Sequence, residues 1–177
     1  MSVYDLTRRR FFCICTAACT AFAIGCKGRA RSGWEFLNEE NALTLAGICD
    51  QIIPADDYPS ASQAGVLVYI DRQLTHHYSR YQDKYLGGFK LADEVSRKEF
   101  GRRFALLDSE QQLKIVIAIE NADREFFELV RKHTLEGYYG APRHGGNRDA
   151  VSWRMLGLAE PPLRGRVPVI TPKGEKS

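Results

Sequence analysis

Between Asn38 and Tyr139 the apolar side chains recur three and four positions apart, and Asn, Asp, Gly or Pro stands where one run ends and the next begins. That period puts one apolar stripe on each of several helices, so the chain must bury helix against helix. Leu45, Ile48, Cys49 and Ile52 share a face behind Asn38 or Asn41 as candidate N-cap, and Pro54 blocks continuation. After the turn-rich PADDYPSAS, the residues Val66, Tyr69, Ile70, Leu74, His77, Tyr78, Tyr81 and Tyr85 keep the period, which predicts one long amphipathic helix with a tyrosine-rich stripe. Gly87 and Gly88 predict a break, followed by one or two helices through Phe89, Val95, Phe100 and Phe104. Asp108 with Gln111 three positions on has the form of a capping box ahead of Leu113, Val116 and Ile117. QLKIVIAI has strand-like composition too, but the cap and the flanking helical runs favour helix. Phe126, Phe127, Val130 and His133 lie along one side of the last run, which leaves helix near Gly137 to Gly140. The expectation is all-α: a single compact domain of about five to six helices over residues 38–160, with no internal repeat.

The N-terminus follows a different pattern. Arg8, Arg9 and Arg10 precede fifteen uncharged residues, Phe11 to Gly25, the form of a secretory signal and shorter than the ~20 residues that span a bilayer. TRRRFF resembles the twin-arginine export signal, with Arg8 and Arg9 as the pair and Phe11 in the aromatic position, so residues 1–25 read as a cleavable signal for a folded cargo bound for the periplasm. The competing reading is a basic N-terminus on an ordinary buried helix. AIGC resembles a lipobox, making Cys26 a candidate for lipidation and membrane anchoring; cleavage near AFA, leaving Cys26 a thiol, stays open. Residues 26–37 read as a tether and the proline- and charge-rich residues 161–177 as an extended tail. The formal charge of +3 offers little to a phosphate backbone: without Arg8, Arg9, Arg10 and Asp5, Lys plus Arg falls from 25 to 22 and Asp plus Glu from 22 to 21, leaving +1. A nucleic-acid partner is not expected.

Cys13, Cys15 and Cys19 sit inside the apolar run as small residues, which leaves Cys49 as either a buried thiol or a disulfide partner for another subunit. His76 and His77 are about 100° apart on a helix and cannot grip one metal together. GxGxxG after a strand, a Walker loop, paired CxxC and HExxH are all absent from the sequence. No catalytic, cofactor-binding or metal-ligating residue is therefore assigned. The densest polar segment, GYYGAPRHGGNRDAVSW, could hold an anion with the Gly145 and Gly146 amides and the charges of Arg143 and Arg148. It could equally be a rigid docking loop, and the lack of a complete acid, base and nucleophile favours docking, with Tyr138, Tyr139, Arg143, His144, Asn147, Arg148 and Trp153 as candidate contacts.

ICDQIIPADD, GVLVYIDRQL and HTLEGYYGAPRHGGNRDAVSWRMLG together resemble the gluconate 2-dehydrogenase subunit 3 family over roughly residues 40–160, with Ala141 where that family often has an acidic residue. The resemblance implies a small subunit beside a large flavin-dependent sugar or sugar-acid dehydrogenase, with FAD in that partner and often haem in a cytochrome c subunit. It also implies that the twin-arginine signal here serves the export machinery on behalf of both chains. The alternative is a free-standing exported lipoprotein, a small-molecule binder or minor hydrolase using His133, His144 and Arg148.

Overall fold

In the computed structural model residues 33–158 are described, so the signal residues Arg8, Arg9 and Phe11, the lipidation candidate Cys26 and the tail 161–177 lie outside the described residues. Asn38 opens helix α1 (Glu39–Ile52), its Oδ1 accepting the Asn41 N–H at 2.7 Å. Of the two candidate caps, the side chain of Asn38 is the one that serves. Five more helices follow: α2 (Val66–Thr75), α3 (Gln82–Phe100), α4 (Ser109–Ala122), α5 (Arg124–Tyr139) and α6 (Val151–Met155), with no strand among the described residues. The fold is all-α, as the periodicity requires. Helix α1 packs on α4, α2 on α5, and α4 on both α3 and α5, with the core running through Leu45, Ile48, Ile70, Phe104, Ile115 and Phe126.

Two expected helix boundaries fail, each for a packing reason. The long helix predicted from Val66 to Tyr85 is broken: α2 stops at Thr75, a 3₁₀ turn covers Ser79–Tyr81, and α3 begins at Gln82. Gln82 Nε2 donates to the Leu74 carbonyl at 2.8 Å, satisfying an acceptor the broken helix leaves free. Across this corner Tyr78, Tyr81 and Tyr85 converge on His133 of α5. The break predicted at Gly87 and Gly88 does not occur either, and α3 runs through both. A Cβ on Gly88 would stand 2.3 Å from the Phe126 ring, so this glycine marks where α3 and α5 approach closely rather than where a helix ends. The Phe126 ring fits against Tyr85 and Phe89 in edge-to-face contacts, with centroids 5.9 and 6.4 Å away.

The predicted capping box is present: Asp108 accepts the Gln111 N–H, and the Gln111 side chain accepts from the Asp108 N–H. Asp123 then ends α4 and caps α5 through the Phe126 N–H, while Lys84 of α3 pairs with it at 2.8 Å. Trp34 to Leu37, read from sequence as the end of a tether, are instead fixed to the helical body. The buried Asp71 carboxylate accepts the N–H groups of Glu35, Phe36 and Leu37 at 2.7, 3.0 and 2.8 Å. Among the described residues no helix is long and apolar enough to cross a membrane.

Candidate docking site

Helix α5 ends at Tyr139, where the Gly140 N–H bonds to the Glu136 carbonyl at 2.9 Å, and the chain turns into a loop of two 3₁₀ turns, Pro142–His144 and Arg148–Ala150, before α6. Asn147, Asp149 and Ala150 all adopt positive φ, at 47°, 55° and 53°. The left-handed region costs a residue with a Cβ about 1–2 kcal/mol, so contacts elsewhere must impose this shape. They are visible. Asn147 Nδ2 donates to the Gly140 carbonyl at 2.9 Å, and its Oδ1 accepts the Ser152 N–H at 3.0 Å. The Arg148 N–H donates to the Ala64 carbonyl at 2.8 Å, and Trp153 Nε1 donates to the Tyr139 carbonyl at 3.0 Å. Beneath them Gly146 lies so close to α5 that a Cβ there would stand 2.1 Å from the Gly137 carbonyl oxygen.

The docking candidates separate into two groups. Tyr138 and Asn147 are 2% and 0% exposed, too enclosed to meet a partner. Tyr138 instead donates its hydroxyl to the Pro59 carbonyl at 2.8 Å, and Asn147 braces the loop from within. Arg143, His144 and Arg148 are exposed, Tyr139 is 40% exposed and Trp153 is half-buried. The anion cradle loses a donor, because the Gly145 N–H is bonded to the Pro142 carbonyl at 3.0 Å. Sequence reading missed Arg72, which the last turn of α2 carries to the same loop, its Nη1 3.1 Å from where a Cβ on Gly145 would stand. No periodicity or motif singles out Arg72; only the packing of α2 on α5 brings it there.

His133 does not join the surface. It is 1% exposed, its ring lies parallel to Tyr78 at 4.1 Å, and its Nδ1 is 2.9 Å from the Tyr85 hydroxyl. Its ring contacts and hydrogen bond go to tyrosines of α3 and the turn before it, not to His144 or Arg148, so the three residues of the alternative enzyme reading are not gathered into one site. Burial pulls the imidazole down to about 4, against the opposing attraction of Glu136. Glu136 accepts hydrogen bonds from Tyr69 and Tyr78 at 3.2 and 2.9 Å, and both phenols are pushed up, chiefly by burial. Cys49 is 0% exposed, its Sγ lies 3.3 Å from Thr134 Oγ1, and burial pushes the thiol up to about 12. A sulfur so enclosed is the buried thiol of the two expectations and is out of reach of another subunit. Among the described residues no group of three or more His, Cys, Asp and Glu converges as metal ligands would.

No curated protein and no solved structure matches the chain. The family model for gluconate 2-dehydrogenase subunit 3 matches residues 39–159, the stretch that contains all six helices and the loop just described. The chain belongs to the gluconate 2-dehydrogenase subunit 3 family.

Proposed function

We propose that this chain is the non-catalytic small subunit of a flavin-dependent sugar or sugar-acid dehydrogenase. In this reading it escorts a signal-less flavin subunit through twin-arginine export and stabilises it at the periplasmic face of a membrane. The observation that carries the reading is a loop locked in a costly backbone shape that turns Tyr139, Arg143, His144 and Arg148 outward, with the Trp153 ring beside them. Arg, Tyr and Trp are the residues that dominate binding energy at protein interfaces, and a preformed loop loses little conformational freedom on docking. The leader supports the export half of the reading: TRRRFF suits a route for folded cargo, and Cys26 would tie the subunit to the membrane once lipidated. FAD belongs to the large subunit and haem to a cytochrome c subunit where one is present.

Isolating the tagged full chain from its host tests this directly. A stable complex should bury more than ~1,000 Å² and bring down a flavin-absorbing protein. Replacing Arg8 and Arg9 with lysine should then strand that second protein in the cytoplasm. A chain that isolates alone and colourless, or a flavoprotein whose export ignores the Arg8 and Arg9 substitutions, would count against the escort role.

A further inference from the structure

The loop is joined by a cation from a distant part of the sequence. Arg148 Nε lies 3.8 Å from where a Cβ on Gly65 would stand, and that same point is 3.0 Å from the Gly145 carbonyl oxygen. Arg72 Nη1 lies 3.1 Å from where a Cβ on Gly145 would stand, so one guanidinium approaches each of two glycines that themselves lie close together, with Arg143 two residues before Gly145 in the 3₁₀ turn. All three are exposed, and among the described residues none forms an ion pair. Other cations, such as Lys84, Arg103, Arg131 and Lys132, each hold a carboxylate, while Lys98, Arg102 and Lys114 form no ion pair either among the described residues. Asp149 lies exposed in the loop beside Arg148, and three acids outside the loop are engaged by other groups. Glu35 accepts from Thr75, Glu136 from Tyr69 and Tyr78, and Asp56 from the Tyr58 N–H.

We propose that Arg72, Arg143 and Arg148 form one recognition surface for a carboxylate-rich face of the flavin-carrying partner, with Arg72 its unrecognised member. The proposal rests on the small-subunit reading above and specifies the chemistry of its contact. A guanidinium offers a planar fork that matches a carboxylate with two hydrogen bonds, and it sheds water more readily than an ammonium. The pinned backbone fixes the spacing of Arg143 and Arg148 before binding, and Tyr139 at 40% exposure supplies an apolar contact beside them.

The test uses the tagged full chain isolated from its host, with bound flavin per chain as the readout. Reversing two charges together, Arg72→Glu with Arg148→Glu, should lower flavin per chain at least about tenfold, since like charges face each other across the contact. Reversing Arg124 and Arg131 on the N-terminal half of α5 should leave it unchanged. Thermal melting of each variant separates a lost contact from a lost fold. A second measurement does not depend on weakened binding: Arg72→Lys with Arg148→Lys keeps the charge and supplies primary amines. A carbodiimide condenses such an amine with a carboxylate into an amide, with loss of water. Mass spectrometry should find these new lysines joined to Asp or Glu of the flavin-carrying chain. Flavin that stays bound after the double reversal overturns the proposal while leaving the small-subunit reading intact. Cross-links from these positions only to a second copy of this chain overturn it equally. Unaltered chain that isolates without flavin at any salt concentration removes the small-subunit reading and the proposal together.

Discussion

The Tyr85 hydroxyl lies 2.9 Å from His133 Nδ1, and the two residues are 0% and 1% exposed. Burial pushes the Tyr85 phenol well above its ordinary range and keeps it protonated; the imidazole tautomer sets which of the two donates, and His133 Nε2 is buried without a hydrogen-bond partner. A second proton would put a buried charge on the ring with no acceptor for the Nε2–H. His133 therefore stays neutral in the fold, and its unfolded counterpart takes up a proton first as the pH falls.

The sign of the pH effect follows. The folded imidazole sits at about 4 against an ordinary value of 6.5, so its contribution is intact above 6.5 and is lost as the pH drops from there through 4. The full loss amounts to about 3 kcal/mol at 1.36 kcal/mol per pH unit. Urea unfolding followed from about pH 7 to about pH 4 should show this decline, and His133→Gln, which keeps an acceptor for Tyr85, should flatten it.

Cys49 should resist alkylation in the native protein. A thiol pushed up to about 12 is almost wholly protonated at neutral pH, and 0% exposure denies a reagent access. Native protein treated with iodoacetamide should react at least ~10³-fold more slowly than protein in denaturant, where Cys49 recovers an ordinary thiol value. Rapid native labelling would place Cys49 at a surface.

The two adjacent glycines of α3 should respond oppositely to alanine. Gly88→Ala forces a methyl against the Phe126 ring at 2.3 Å and should destabilise by about 1–3 kcal/mol. Gly87 has nothing within 4 Å of a Cβ, so Gly87→Ala should stabilise by about 0.5–1 kcal/mol through helix propensity. Denaturant midpoints of the two variants read the difference directly.

Asp71→Asn should release the segment before α1. The carboxylate accepts three N–H groups, from Glu35, Phe36 and Leu37, and an amide replaces one accepting oxygen with a donor. We expect a loss of about 2–3 kcal/mol and faster hydrogen exchange at those three amides, with chymotrypsin gaining access at Trp34 and Phe36. Unchanged exchange there would mean the apolar contacts of Phe36 and Leu37 suffice.

Much of the architecture was legible because its signals are local. Asn38 and the Asp108–Gln111 pair cap helices through atoms within three residues, and the apolar stripe of each helix follows from its own period. The loop after α5 was recognisable as a distinct segment, and the exposure of Arg143, His144 and Arg148 agrees with a surface reading. Tyr138 and Asn147 resisted such reading, because a polar aromatic and an amide in a glycine-rich stretch suit a surface as well as an internal brace. What decides between them is whether a carbonyl such as that of Pro59 or Gly140 lies within reach.

The amino-acid sequence by itself determined the helical class, the capped starts at Asn38 and Asp108, and the family, since each is written in short-range spacing or in contiguous blocks of residues. Only the tertiary structure decided that the tyrosine stripe turns a corner to enclose His133 and that Gly88 admits a ring rather than ending a helix. It alone decided that Arg72 shares a surface with Arg148, 76 positions away. The physical reason is common to all three: each depends on which helix faces fill the same volume, and close packing of side chains from separate segments fixes that outcome while leaving little trace in the local pattern of any one of them.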